Sequence, residues 1–207
     1  MITALEALAR LREGNQRFAG GHGGINLALD ENRRNELVAG QKPFAIILGC
    51  SDSRVPAELV FDQGLGDLFV IRIAGNIVAP SQIGSVEFAA AQFGTPLVVV
   101  LGHSRCGAVS ATLDEITRPA KNQSRHIHSI VERIRPSVEP LMATELCHDR
   151  DALVGHAVRA NVRASANHLR HGSEILEQMI QNGQLLIVGA EYSLETGKVD
   201  FFDGVPE

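Results

Sequence analysis

The chain has 207 residues, 44% of them apolar and 21% charged, with 20 Gly, 8 Pro, 3 Cys and no Trp. That length and apolar content suit a single domain over residues 1–207, and they exclude a disordered tail, a collagen-like repeat and a disulfide-stapled miniprotein. Nineteen Lys plus Arg against 24 Asp plus Glu give a net charge of −5, so no nucleic-acid partner is expected. No apolar run approaches the roughly 20 residues needed to cross a bilayer, so no membrane partner is expected either. The opening MITALEALARLREGN sets charges within its apolar pattern and does not read as a signal peptide. The expected setting is therefore cytoplasmic, with reduced cysteines.

Residues 3–18 place Leu5, Leu8, Leu11 and Phe18 near helical spacing, and Thr3 with Glu6 fits a capping box. Gly20 to Gly24 break the pattern. They lack the Lys-Ser/Thr ending and preceding strand of a phosphate loop and read as a linker. Residues 1–40 are expected to form an N-terminal helical arm outside the main core, with an α/β core over 41–207. From Pro43 onward come short apolar runs rich in β-branched residues: FAIILG (44–49), LFVIRI (68–73), PLVVVLG (96–102) and QLLIVGAEY (184–192). Such runs read as strands buried on both faces, and alternation with helical patterns such as SQIGSVEFAAAQF (81–93) predicts an α/β fold with a mostly parallel sheet flanked by helices. Residues 120–182 read as several helices, one long around 149–171. The end, from Tyr192 through Gly197 to Phe202, predicts an antiparallel edge hairpin.

Two of the three cysteines stand at strand ends. Cys50 follows the first strand in G-C-S-D-S-R, and His103 with Cys106 ends the third in G-H-S-R-C-G. Sites in open α/β sheets form outside the carboxyl ends of strands, and two Cys, one His and one Asp are ligand types that zinc accepts. Taken singly, Cys50 would be core filler and His103 a satisfied histidine; their matched placement points to a metal. In C-x-D-x-R, Cys50, Asp52 and Arg54 share a face if the segment is extended. The pair is either a surface ion pair or a device that keeps Asp52 ionised and oriented. Asp52 then has two states, as a fourth ligand closing the site or turned to Arg54 with the fourth position left for water. Cys147 has no partner at ligand spacing and reads as a free thiol. His126-x-His128 and His168-x-x-His171 read as solvated helix faces.

These motifs resemble the β-class carbonic anhydrases, over L-x-x-L-x-E-G-N-x-R-F (8–18), C-S-D-S-R-V, G-D-L-F-V-I-R, A-G-N and G-H-S-R-C-G-A. The resemblance implies one zinc per subunit, held by Cys50, His103 and Cys106, with Asp52 as fourth ligand or in a dyad with Arg54. It implies reversible hydration of carbon dioxide to bicarbonate and a proton by zinc-bound hydroxide. Two thiolates and a neutral His would cancel the ion's charge, so bound water would be polarised less than at a three-His site. The resemblance also implies a substrate pocket lined by Gln41, Phe69, Phe88 and Gly102, and a homodimer or tetramer in which Gln41 and Phe69 complete a neighbour's pocket. Phe88 stands where many relatives have Tyr, and Ile73 where Asn is common. Of a second, inhibitory bicarbonate pocket found in some relatives, Arg72 and Tyr192 match two positions, but Ile47 replaces the Trp. The alternatives are a structural zinc module permanently capped by Asp52, or a carbonyl sulfide or carbon disulfide hydrolase of the same fold.

Overall fold

In the computed structural model, residues 2–23, 31–119 and 124–206 are described. The capping box at Thr3 is formed: its hydroxyl accepts the Glu6 N–H, and the Glu6 carboxylate accepts the Thr3 N–H at 2.7 Å. Helix α1 (Ala4–Ala19) does not lie outside the core as expected. Leu8 and Leu11 are buried with Phe44, Phe61, Leu101 and Tyr192, while Leu5 is turned to solvent. The reason is Gly14, where a Cβ would stand 1.9 Å from the Phe61 carbonyl oxygen. Its absence lets the helix lie directly on the chain. Asn15 then ties the helix down, donating to the carbonyls of Val60 (3.1 Å) and Gly197 (2.9 Å) and accepting from the Val199 N–H (2.8 Å). Gly24, the last glycine of the expected linker, lies outside the described residues.

Helix α2 (Glu31–Val38) leads into β1 (Ala45–Gly49), α3 (Ala57–Val60) and β2 (Leu68–Arg72). A single 3-10 turn (Ala74–Asn76) precedes α4 (Pro80–Phe93), β3 (Leu97–His103) and α5 (Gly107–Thr117). The helical stretch contains α6 (Arg125–Val138), two 3-10 turns, the long α7 (Arg150–His171) and α8 (Glu174–Gln181). Strands β4 (Leu186–Tyr192) and β5 (Val199–Asp203) close the chain. The sheet order is β2-β1-β3-β4-β5, parallel through β4, with β5 antiparallel. Strands β1 and β3 are buried at every residue, as their apolar runs predict. Strand β2 buries only Ile71, because it forms the sheet's edge and has a neighbour on one side alone. Among the described residues no helix is long and apolar enough to cross a membrane.

Helix α7 crosses the sheet at two glycines. A Cβ on Gly102 would come 2.5 Å from Val162 Cγ2 and 3.2 Å from Val158 Cγ1, and one on Gly189 would come 2.8 Å from Val162 Cγ1. Relief requires Val162 to leave its rotamer or the helix to lift from β3. Gly102→Ala should therefore destabilise the fold by about 1–3 kcal/mol, read as a lower urea midpoint at unchanged slope.

Candidate metal centre

Strands β1 and β3 are hydrogen-bonded neighbours, with Gly49 level with Leu101, so their carboxyl ends deliver Cys50 and His103 to one place. The turn after β3 must then reverse within two residues to bring Cys106 back. It does so at Arg105, whose φ of 55° is left-handed, a conformation that costs a side-chain-bearing residue energy and needs outside support. Glu195, in the β4–β5 hairpin, supplies that support. Its carboxylate accepts from Ser104 Oγ at 2.8 Å and pairs with Arg105 Nε at 2.7 Å, while the Ser104 N–H donates to the Tyr192 carbonyl at 2.9 Å. The Ser104 hydroxyl holds the Glu195 carboxyl below the usual carboxylate range.

The ligand atoms of Cys50, His103 and Cys106 all lie within 4.8 Å of one another, and all three residues are buried. Their chemistry fits a metal ion. His103 Nδ1 lies 2.9 Å from the Ser104 carbonyl, which can only accept, so Nδ1 carries the hydrogen and Nε2 presents a lone pair. Nε2 is buried and has no hydrogen-bond partner, a costly arrangement unless a cation occupies the space it faces. The two sulfurs are electrostatically linked: Cys106 draws the Cys50 thiol below its ordinary value, and Cys50 together with burial pushes Cys106 up. Burial opposes charging the His103 ring, but Cys50, the Ser104 carbonyl and Asp52 together outweigh it and the net shift is upward.

Asp52 stands at the edge of this cluster, Oδ2 3.8 Å from His103 Nε2, and is engaged by Arg54. Arg54 Nε reaches Oδ1 at 2.9 Å, Nη2 reaches Oδ2 at 2.7 Å, and the Arg54 backbone N–H adds a third bond at 3.0 Å. The pair is bidentate, as the C-x-D-x-R spacing allows. Arg54 holds the carboxyl well below the usual carboxylate range, despite partial burial, and Asp52 raises Arg54 in return.

A sequence model of the carbonic anhydrase family matches residues 45–199, most of the chain and every residue of the cluster. The chain belongs to the β-class carbonic anhydrases. It is 40% identical over 197 residues to carbonic anhydrase 2 of Mycobacterium tuberculosis, covering 94% of this chain and 91% of that one. To a carbonic anhydrase of Mycolicibacterium smegmatis it is 38% identical over 190 residues, covering 92% and 89%. The Coccomyxa β-carbonic anhydrase solved with acetazolamide superposes with a TM-score of 0.72 at 26% identity, over 94% of this chain and 86% of that one.

In this β-carbonic anhydrase the other anticipated residues fall in three places. Gly102 lies beneath α7, where Val158 and Val162 cover it. Gln41 is exposed just before β1, in a cleft of about 400 Å³ with Ile2, Phe44 and Phe93. Phe69 packs against Phe88 and Phe93, ring centroids 6.4 and 6.2 Å apart, and Phe88 is 54% exposed. Phe69 is level with Ile46, four residues before Cys50, so at about 3.3 Å per residue it and Gln41 lie toward the opposite end of the sheet from their own cluster.

Arg72, matched above to an inhibitory pocket, donates instead to the carbonyls of Cys50 (3.1 Å) and Asp52 (2.6 Å). Tyr192 packs on Phe18, and Ile47 is fully buried. Cys147 is a free thiol as anticipated, but exposed. His126, His128, His168 and His171 are all exposed on helices. Neither Glu195 nor the backbone role of Arg72 was legible from sequence: Glu195 sits in an ordinary hairpin turn, and Arg72 reads as the polar end of a strand.

Proposed function

We propose that this chain catalyses the reversible hydration of carbon dioxide to bicarbonate and a proton, with one zinc ion held by Cys50, His103 and Cys106. The observation that carries the reading is the partnerless Nε2 of His103 facing two thiols, with an Arg-clamped carboxylate 3.8 Å away. When bound, zinc acidifies a coordinated water, to a pKa of about 7 in the three-histidine carbonic anhydrase that is the standard example, and so supplies hydroxide near neutral pH.

The chain's own residues do the rest. Asp52, ionised and held by three N–H donors, can only accept a hydrogen bond, so it orients the reacting water and leaves a lone pair free for the carbon. Arg54 keeps that carboxylate from becoming a fourth ligand, a service that a permanently capped structural zinc would not require. Carbon dioxide needs a small apolar wall. Phe69 and Phe88 provide one, and at Phe88 it carries no hydroxyl. Because Phe69 and Gln41 lie toward the far end of the sheet from their own cluster, we place them in the pocket of a second copy, making a dimer the smallest working unit. The whole of residues 1–207 acts as one domain, since α1 is built into the core. A cytoplasmic setting keeps Cys50 and Cys106 reduced, as metal thiolates require.

Stopped-flow hydration of carbon dioxide tests the reading. Zinc-loaded protein should accelerate the reaction well above buffer, metal-stripped protein should not, and added zinc should restore the rate. Full zinc loading with no rate above buffer would overturn it in favour of a structural metal.

A further inference from the structure

The Cys50 sulfur accepts a hydrogen bond from the Gly75 N–H at 3.3 Å, and that bond is buried. The donor lies in the A-G-N turn after β2, where Gly75 has φ 69° and Asn76 φ 42°. The turn has one backbone bond of its own, from the Asn76 N–H to the Ile73 carbonyl at 3.0 Å, and two successive left-handed residues need further support. The turn's own side chain gives no help, since the buried Nδ2 of Asn76 has no partner. That further support comes from α7. Asn161, 2% exposed, donates from Nδ2 to the Gly75 carbonyl at 2.8 Å, and Ser165, one helical turn on, donates from Oγ to the Asn76 carbonyl at 3.0 Å. Packing closes the remaining side: a Cβ on Gly75 would meet Ile134 Cδ1 at 2.7 Å and Ala108 Cβ at 3.1 Å.

We propose that Asn161 is a positioning residue for the metal centre, fixing the Gly75 peptide so that its N–H points at the Cys50 sulfur. The bond draws electron density from the thiolate and aims its remaining lone pairs at the ion. A neutral amide suits the task. It supplies a donor to the Gly75 carbonyl without adding charge beside two sulfurs, which a carboxylate or ammonium would do. Truncating it removes that carbonyl's side-chain donor, and the Gly75 peptide loses the bond that aims its N–H, with only Ser165, the turn's own bond and packing left to hold the turn.

The proposal rests on the zinc reading, so its test uses metal binding and spectroscopy besides activity. In Asn161→Ala, zinc affinity measured against a chromophoric chelator should weaken by about 10-fold or more. In the cobalt-substituted variant, the sulfur-to-metal charge-transfer band should move to longer wavelength, because a thiolate relieved of its hydrogen bond is easier to oxidise. Asn161→Ser, smaller but still polar, should give a smaller shift in the same direction. Wild-type protein loaded with NMR-active cadmium needs no variant: scalar coupling between the metal and the Gly75 amide proton should be seen through the sulfur. Folded variants that keep wild-type zinc affinity and band position, or the absence of that coupling in a resolved spectrum, would overturn the proposal even if thermal stability fell. Failure of the zinc reading looks different, because wild-type protein would then retain no metal and show no band.

Discussion

Replacing Cys106 with Ser will leave the chain without stably held zinc, and carbon dioxide hydration will fall by about 10³-fold or more. Cys106 is the N-cap residue of α5, where the turn after β3 enters the helix, and a thiolate there is a ligand type that zinc holds strongly. A serine hydroxyl keeps the shape but offers a donor that stays protonated at neutral pH and binds zinc weakly. His103 and Cys50 are then left as an incomplete pair. The fold should survive, because Cys106 is a small group beneath α5 and the substitution changes little volume. Metal content by mass spectrometry and stopped-flow rates check the prediction together. A serine variant with full zinc and a rate within tenfold of the parent would show that Cys106 is no ligand.

Arg54→Ala should be nearly as damaging by the opposite route, with zinc retained. Of the three bonds that hold Asp52 aside, it removes the two from the guanidinium and leaves the backbone N–H at 3.0 Å. The carboxylate is already 3.8 Å from His103 Nε2, and without the guanidinium its best partner is the metal itself. The expected result is a loss of about 10²–10³-fold near neutral pH at full zinc occupancy, with an additional oxygen ligand in zinc X-ray absorption. The loss should shrink as pH rises, since hydroxide then competes better with the carboxylate for the fourth position. Arg54→Lys should recover little, because an ammonium cannot engage both oxygens in a planar fork. Parental activity in Arg54→Ala would remove the guanidinium from the mechanism.

The parts of this molecule that were legible in sequence are those whose signal is local. The strands β1 and β3 declare themselves because a strand covered on both faces must be apolar at every position, and the clustered Cys50, His103 and Cys106 because they stand at the ends of such runs. The half-burial of β2 was not legible, since LFVIR reads alike at an edge or in the middle, and sheet order decides which. The placement of α1 was missed for a related reason. A stripe of Ala7, Leu8 and Leu11 looks the same whether its own core or a partner covers it, and only Gly14 against the Phe61 carbonyl distinguishes the two. Arg72, Asn161 and Glu195 were invisible because their work is done on backbone and side-chain groups brought close only by folding. An asparagine within the helical pattern around 149–171 carries no mark that its amide will meet a glycine carbonyl 86 positions away.

The support given to the left-handed turn at Arg105 has a bearing on the order in which the site is made. All three candidate ligands lie in the first 106 residues, yet the carboxylate and carbonyl that brace the turn between two of them belong to Glu195 and Tyr192. During synthesis the ligands emerge long before their brace, and the strained turn has nothing to lean on until β4 has paired with β3 and the hairpin has formed. The proposed metal centre is thus completed late, by residues outside its candidate ligand set, and a nascent chain that carries Cys50, His103 and Cys106 is still not a finished site.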